Sequence, residues 1–200
     1  PPALTALRHR HPDADLSVGD MTSDRGIPAV AAGDVDVAVI AVWHGRPTGP
    51  DHVAIHPLLT DPMVVVLPDD HPLAADAPAP IRLGDLRDAA WVTIRAGHAA
   101  RAQFDRAAAD AGFTAKVRFE TESYDVAQAL VGTGIGVALV SRLALTHVPG
   151  TVHRELTAPG PHRRLYAVAP ADVTATPLAG EYVDLLRDVA EEISATWSDA

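Results

Sequence analysis

The sequence predicts an α/β protein of two lobes, and three observations carry the prediction. A helix closed by glycine and followed at once by an apolar strand occurs twice. The first instance runs from Asp24 to Ala32, stops at Gly33 and enters Val35 to Ile40; the second runs from Asp125 to Val131, stops at Gly132 and enters Ile135 to Val140. Glycine after a helix supplies a left-handed cap, and a nearly unbroken apolar strand needs both faces covered, as in a parallel sheet between helices. The two units lie far apart in the chain, which implies separate lobes. A ligand is then expected between them, beyond the carboxyl ends of the strands.

The elements follow in order. Leu4, Leu7 and the run to His11 read as a short helix that stops before Pro12, because a residue preceding proline is pushed out of the helical region. Leu16 and Val18 alternate with polar neighbours and predict a strand. Asp20 to Asp24 forms the next turn, with Ser23 or Asp24 placed to cap the following helix and Pro28 near its first turn. A strand from Val35 to Val42 leads into the turn-rich Gly45 to Pro50 loop. Strands are expected at Val53 to Leu59 and Met63 to Leu67, and the stretch from Asp69 to Pro80 reads as the first crossing between lobes.

The second lobe opens with a short helix around Leu83 to Leu86 and a strand at Trp91 to Ile94. A helix from about His98 to Ala111 ends at Gly112 and aligns Phe104, Ala107, Ala108 and Ala111 on one face. Val117 and Phe119 mark a strand; the Tyr124 to Val131 helix and the Ile135 to Val140 strand complete this unit. Val152 to Leu156 and Leu165 to Val168 are two more strands, the latter returning to the first lobe. Thr176-Pro177 opens the last helix, with Leu178, Tyr182, Leu185, Leu186, Val189, Ile193 and Trp197 on one face. The boundaries expected are 1–67 plus 170–200 for the first lobe and 68–169 for the second.

Composition narrows the function. A 200-residue chain with 48% hydrophobic content buries a sizeable core, roughly 70% of its unfolded surface at this size. No apolar run approaches the ~20 residues that cross a bilayer, so no membrane insertion is expected. The first residues lack a signal-peptide layout, and Pro1 reads as an internal position. The absence of cysteine removes disulfides and thiolate chemistry and suits a reducing compartment, so a cytoplasmic location is expected. A formal charge of −10 repels phosphate backbones, so this segment is not expected to bind DNA itself. Lys116 is the single lysine against fifteen arginines, which excludes a P-loop lysine and disfavours a Schiff base.

Motifs that suggest chemistry have simpler readings. Gly132-Thr133-Gly134-Ile135-Gly136 has the wrong order for a dinucleotide fingerprint, since helix, turn and strand replace strand, turn and helix. His9 and His11 point to different helix faces, and His52 and His56 could share a strand face without a third ligand, so no metal is expected. Glu120 and Glu122 alternate with Lys116 and Arg118 and read as a solvated charged edge. No catalytic constellation and no cofactor are expected. Three helix starts that follow strand ends remain: Thr22 with Ser23, Gly97 with His98, and Glu122 with Ser123. Their backbone N–H groups suit a small polar or anionic ligand, while Ser23 and Ser123 can also cap their helices.

Several segments together resemble the effector-binding regulatory domain of LysR-type transcriptional regulators. They are Leu7 to Pro12 with its terminal His11-Pro12, Ala32-Gly33-Asp34-Val35-Asp36-Val37-Ala38-Val39, Pro57-Leu58-Leu59 with Val64 to Pro68, His71-Pro72-Leu73-Ala74, Leu83-Gly84-Asp85-Leu86, and Val131 to Val140. The resemblance implies two Rossmann-like subdomains joined by two crossing strands, a type 2 periplasmic-binding-protein-like fold, with a small-molecule effector in the cleft. By position it assigns the effector to Thr22, Ser23 and Val42 of one lobe, and to Arg95, Ala96, Gly97, His98, Glu122 and Ser123 of the other. It also implies an antiparallel homodimer, with the Asp24 to Ala32 helix set against the partner's Asp125 to Val131 helix. DNA would be bound only through an N-terminal winged helix-turn-helix, which with the first strand of the first lobe would precede Pro1. Arg95 suits a carboxylate effector, whereas Asp20, Asp24 and Glu122 oppose one. The alternatives are a periplasmic-type solute-binding protein and an enzyme on the same fold, for which His98 and Glu122 would be the acid and base.

Overall fold

A computed structural model describes residues 2–74, 79–172 and 176–198. Part of the Asp69 to Pro80 stretch, residues 75–78, lies outside the described residues. The chain forms two compact units, Pro1–Thr60 with Arg163–Ala200 and Asp61–His162. The first passage between them falls inside a strand, between Thr60 and Asp61, rather than in the Asp69 to Pro80 stretch; the second falls between His162 and Arg163. Both precede by seven residues the positions read from the sequence.

In the first unit, helix α1 (Pro2–Arg10) ends before Pro12 as expected. Ala3 and Leu7 are buried against Leu185 of the last helix, α5 (Pro177–Ser198), with Tyr182, Leu186 and Val189 beside them. Pro177 holds the first helical position of α5, where its missing N–H costs nothing. Helix α2 (Ser23–Ala32) ends on Gly33 at φ 77°, and the amides of Gly33 and Asp34 donate to the carbonyls of Val30 and Ala29. That pair of bonds is a Schellman closure, which a residue with a Cβ would strain. Pro28 lies inside α2 beyond its first turn, on an exposed side.

Strand β1 (Ala38–Val42) pairs antiparallel with β7 (His162–Pro170), which is hydrogen-bonded in turn to β2 (Val53–Pro68). Val30 of α2 packs on Ala38, Ile40, Val53, Tyr166 and Val168 to form the core of this unit. The parallel sheet expected here is therefore replaced by antiparallel pairing, and Val39 of β1 is exposed. The strand expected at Leu16 and Val18 does not form. Leu16 packs beside α1 and α5, Val18 is 76% exposed, and no strand partner faces this segment among the described residues. An extended segment without a neighbour has no ladder to join.

The two strands expected at Val53 to Leu59 and Met63 to Leu67 are one continuous strand, β2. In the second unit its later half pairs antiparallel with β5 (Val137–Ser141) on one side and β6 (Thr151–Glu155) on the other. Strand β3 (Ala90–Ile94) lies parallel to both β5 and β4 (Lys116–Thr121). Helices α3 (Ala99–Asp110) and α4 (Tyr124–Val131) follow β3 and β4. Every residue of β5 is buried, as its apolar run requires, between antiparallel β2 and parallel β3.

Val64, Val66, Val92, Ala127, Val131, Ala138 and Val140 form the core of the second unit. Trp91 stacks near Phe104 and Phe113, and Leu83 and Leu86 of a short 3₁₀ turn are buried. Gly132 is not the left-handed cap expected of it: it stays helical at φ −60°, and the chain reverses at Gly134, φ 78°. The amides of Thr133 and Gly134 donate to the carbonyls of Leu130 and Val131, adding a tight turn before the strand. Gly132 is instead packed closely against the Pro149 carbonyl and the Val148 side chain.

Candidate functional site at the strand ends

Because β3 and β4 are parallel, the connections that leave them emerge on the same edge of the sheet, the edge where open α/β sheets bind ligands. Residues 95–98 connect β3 to α3, and residues 122–123 connect β4 to α4. The Arg95 amide donates to the Thr121 carbonyl at 2.8 Å, extending the strand pairing into these connections. Beyond that bond the side chain of Glu122 reaches back across the edge. Its Oε1 pairs with the Arg95 guanidinium, and its Oε2 lies 3.1 Å from Nε2 of His98. Arg95, His98 and Glu122 therefore form one cluster, as the sequence reading grouped them.

The backbone around this cluster is arranged for access. Gly97 adopts φ 93°, and nothing lies within 4 Å of where a side chain would begin. His98 is the N-cap residue of α3 with extended backbone angles, but its side chain makes no capping bond. Its imidazole is free to face Glu122. Ser123 caps α4 as expected, its hydroxyl accepting from the Val126 amide at 3.2 Å, while its own amide donates to Oγ1 of Thr121 at 3.3 Å. The first turns of α3 and α4 leave backbone N–H groups without intrahelical partners. Ala96 lies exposed between Arg95 and Gly97.

A second arginine on the same edge behaves differently. The Arg101 side chain is only 16% exposed and is held by Asp105 at 2.9 Å, by Glu120 and by Oγ1 of Thr93 at 3.4 Å. Glu120 is thus a structural ion-pair partner, and Lys116 pairs with Asp88 at 2.9 Å, so the alternating charges of β4 are more than a solvated edge. The spacing of Arg101 and Asp105 on one helix was the available sequence signal for this network. The pairing with Glu120 had none, because it joins residues on different elements.

In the first unit, Thr22 rather than Ser23 or Asp24 is the N-cap residue of α2, and its hydroxyl makes no bond into the helix. It bonds the Asp24 carboxylate instead, which holds that carboxyl below its ordinary pKa of 3.8. Ser23 turns to the sheet, its Oγ accepting from the Ala41 amide of β1 at 3.0 Å. Val42, the last residue of β1, is half-buried and packs against the core of this unit. His52 precedes β2 rather than sharing its face with His56, and Nδ1 of His56 accepts from Arg187 at 2.8 Å. A separate cavity of about 410 Å³ in the second unit, lined by Leu73, Pro80, Ile81, Arg82, Arg154 and Thr157 among others, includes none of the strand-end residues.

With this geometry in place, comparison with known proteins is informative. The family model of the LysR substrate binding domain matches residues 1–191. The HTH-type transcriptional regulator CysL of Bacillus subtilis is 28% identical over 157 residues, covering 78% of this chain and 50% of CysL. The C-terminal domain of a probable LysR family transcriptional regulator from Rhodococcus sp. RHA1 superposes with a TM-score of 0.76 at 24% identity, covering 93% of this chain and 90% of that one. The effector binding domain of QuiR, solved in complex with shikimate, gives a TM-score of 0.72 at 17% identity, with 95% and 89% covered. This chain spans about half the length of the curated relatives it matches, and no described helix is long and apolar enough to cross a membrane. The two-unit α/β fold and the match over almost the whole chain lead to one conclusion: the chain belongs to the LysR substrate binding domain family.

Proposed function

We propose that this domain senses a small carboxylate and relays its binding to a DNA-binding domain carried elsewhere on the same cytoplasmic protein. The observation that carries the reading is the joint presentation of Arg95 and His98 at the end of β3, already bridged by a carboxylate. An arginine and an imidazole beside free helix N–H groups suit a carboxylate in charge and in geometry. Shikimate, the molecule bound by the QuiR domain, is itself a carboxylate. The contacts proposed are Arg95, Ala96, Gly97, His98, Glu122 and Ser123 of the second unit.

The relay works through a homodimer in which α2 of one copy meets α4 of the other, where Val126 is exposed. A coupling of about 1–3 kcal/mol between effector and DNA affinity is the usual size for such a device. A thermal-shift panel of metabolites tests the reading. At a hundredfold excess over Kd the correct effector contributes about 2.7 kcal/mol, raising Tm by roughly 5–10 °C. The effector should be a carboxylate, and Arg95→Gln with His98→Gln should remove the shift while leaving the ligand-free Tm within a few degrees. A panel in which only uncharged or cationic compounds stabilise the domain would overturn the reading.

A further inference from the structure

We propose that Glu122 is a built-in competitor for the effector: its carboxylate occupies the anion position on Arg95 and His98, and the effector's own carboxylate must displace it. The inference rests on the effector site proposed above and assigns Glu122 the role of setting its affinity and charge selectivity.

The two arginine–glutamate pairs on this edge supply the argument. Arg101 is 16% exposed and held by Asp105, Glu120 and Thr93 together, so no incoming anion can take it from its partners without unpicking a structural network. Arg95, His98 and Glu122 are 61%, 43% and 57% exposed at their side chains, and among the described residues Glu122 alone bridges the other two. An ion pair so open to water contributes little, because solvent screens the charges and two long side chains lose freedom to hold it. A carboxylate arriving from solution can therefore replace Glu122 at small cost. It gains what Glu122 cannot offer from its own position, contact with the N–H groups at the start of α3 and with the unobstructed backbone at Gly97.

The released Glu122 carries a negative charge next to the bound ligand. That charge disfavours effectors with a second anionic group nearby and raises the concentration at which any carboxylate binds. Neutralising Glu122 removes both penalties. An effector contacted through an ammonium group would respond in the opposite sense, since Glu122 would then be its partner.

Isotope-labelled protein titrated with succinate and with shikimate, followed through the amide signals of Gly97, His98, Ala99 and Ala100, tests the proposal. Glu122→Gln should bind both probes about two- to fivefold more tightly than the unaltered protein, the range set by the modest worth of an exposed pair, with the larger gain for succinate. Arg95→Gln should weaken both, and succinamide should leave the signals in place. Equal or weaker carboxylate binding by Glu122→Gln, or no binding of either probe by any variant, overturns the role given to Glu122. Effector discovery in the metabolite panel does not depend on that result, so a carboxylate that stabilises the protein while Glu122→Gln gains nothing would sink this inference and leave the sensing function standing.

Discussion

The hydroxyl of Ser23 accepts a hydrogen bond from the backbone amide of Ala41 at 3.0 Å, fastening the first turn of α2 to the edge of β1. A serine at a helix start ordinarily caps its own helix; here Thr22 holds the cap position and Ser23 serves the sheet. Ser23→Ala leaves the half-buried Ala41 N–H without this acceptor and should cost about 1–2 kcal/mol. Urea denaturation checks it, and Thr22→Ala, which removes only an exposed contact to Asp24, should cost clearly less.

Asp61 is fully buried where β2 enters the second unit, and its carboxylate accepts from the Ser141 hydroxyl and, at 3.1 Å, from the Leu143 amide. Asp61→Ala removes the acceptor that the buried Ser141 hydroxyl and the half-buried Leu143 amide share. The expected loss is about 3 kcal/mol, read by chemical denaturation. Asp61→Asn keeps one acceptor oxygen and should lose less.

Gly136 lies against the backbone of Ala90, and a methyl group placed on it would overlap the Ala90 carbonyl. Gly136→Ala must push β3 and the start of β5 apart, at a cost of about 1–3 kcal/mol. A drop in Tm with an unchanged denaturant m-value would confirm local overpacking rather than a change in the unfolded chain.

The imidazole of His56 is held below its ordinary pKa of 6.5, first by burial and then by the Arg187 charge beside it. Burial likewise lowers His71 and His153. Each of these groups binds its proton more weakly in the folded chain than in the unfolded one. Their contribution to stability is therefore complete above pH 6.5 and is lost as pH falls through the depressed folded values. Tm should decline between pH 7 and pH 5, and His56→Gln should reduce that decline without abolishing it. An unchanged slope would show that His56 takes no part.

The sequence alone determined the element types, because they follow from local physics. Pro12 ended α1, Gly33 closed α2, Pro177 opened α5, and the apolar run from Val137 to Val140 demanded a buried strand. It also brought Arg95, His98 and Glu122 into one candidate site, since two parallel strands must deliver the residues that follow them to the same edge. Only the tertiary structure decided what depends on a neighbour. Leu16 and Val18 alternate like a strand but have no ladder to join among the described residues, and two short strands around Pro62 became one because β5, β6 and β7 supply partners along its length. The chain reversed at Gly134, φ 78°, while Gly132 stays helical and closely packed against the Pro149 carbonyl. Which of two arginines is locked and which is open was likewise settled by residues on other elements: Glu120 and Thr93 close around Arg101, while among the described residues Glu122 is the ion-pair partner of a largely exposed Arg95. Local sequence sets backbone preference, but hydrogen-bond partners and burial are properties of the assembled fold.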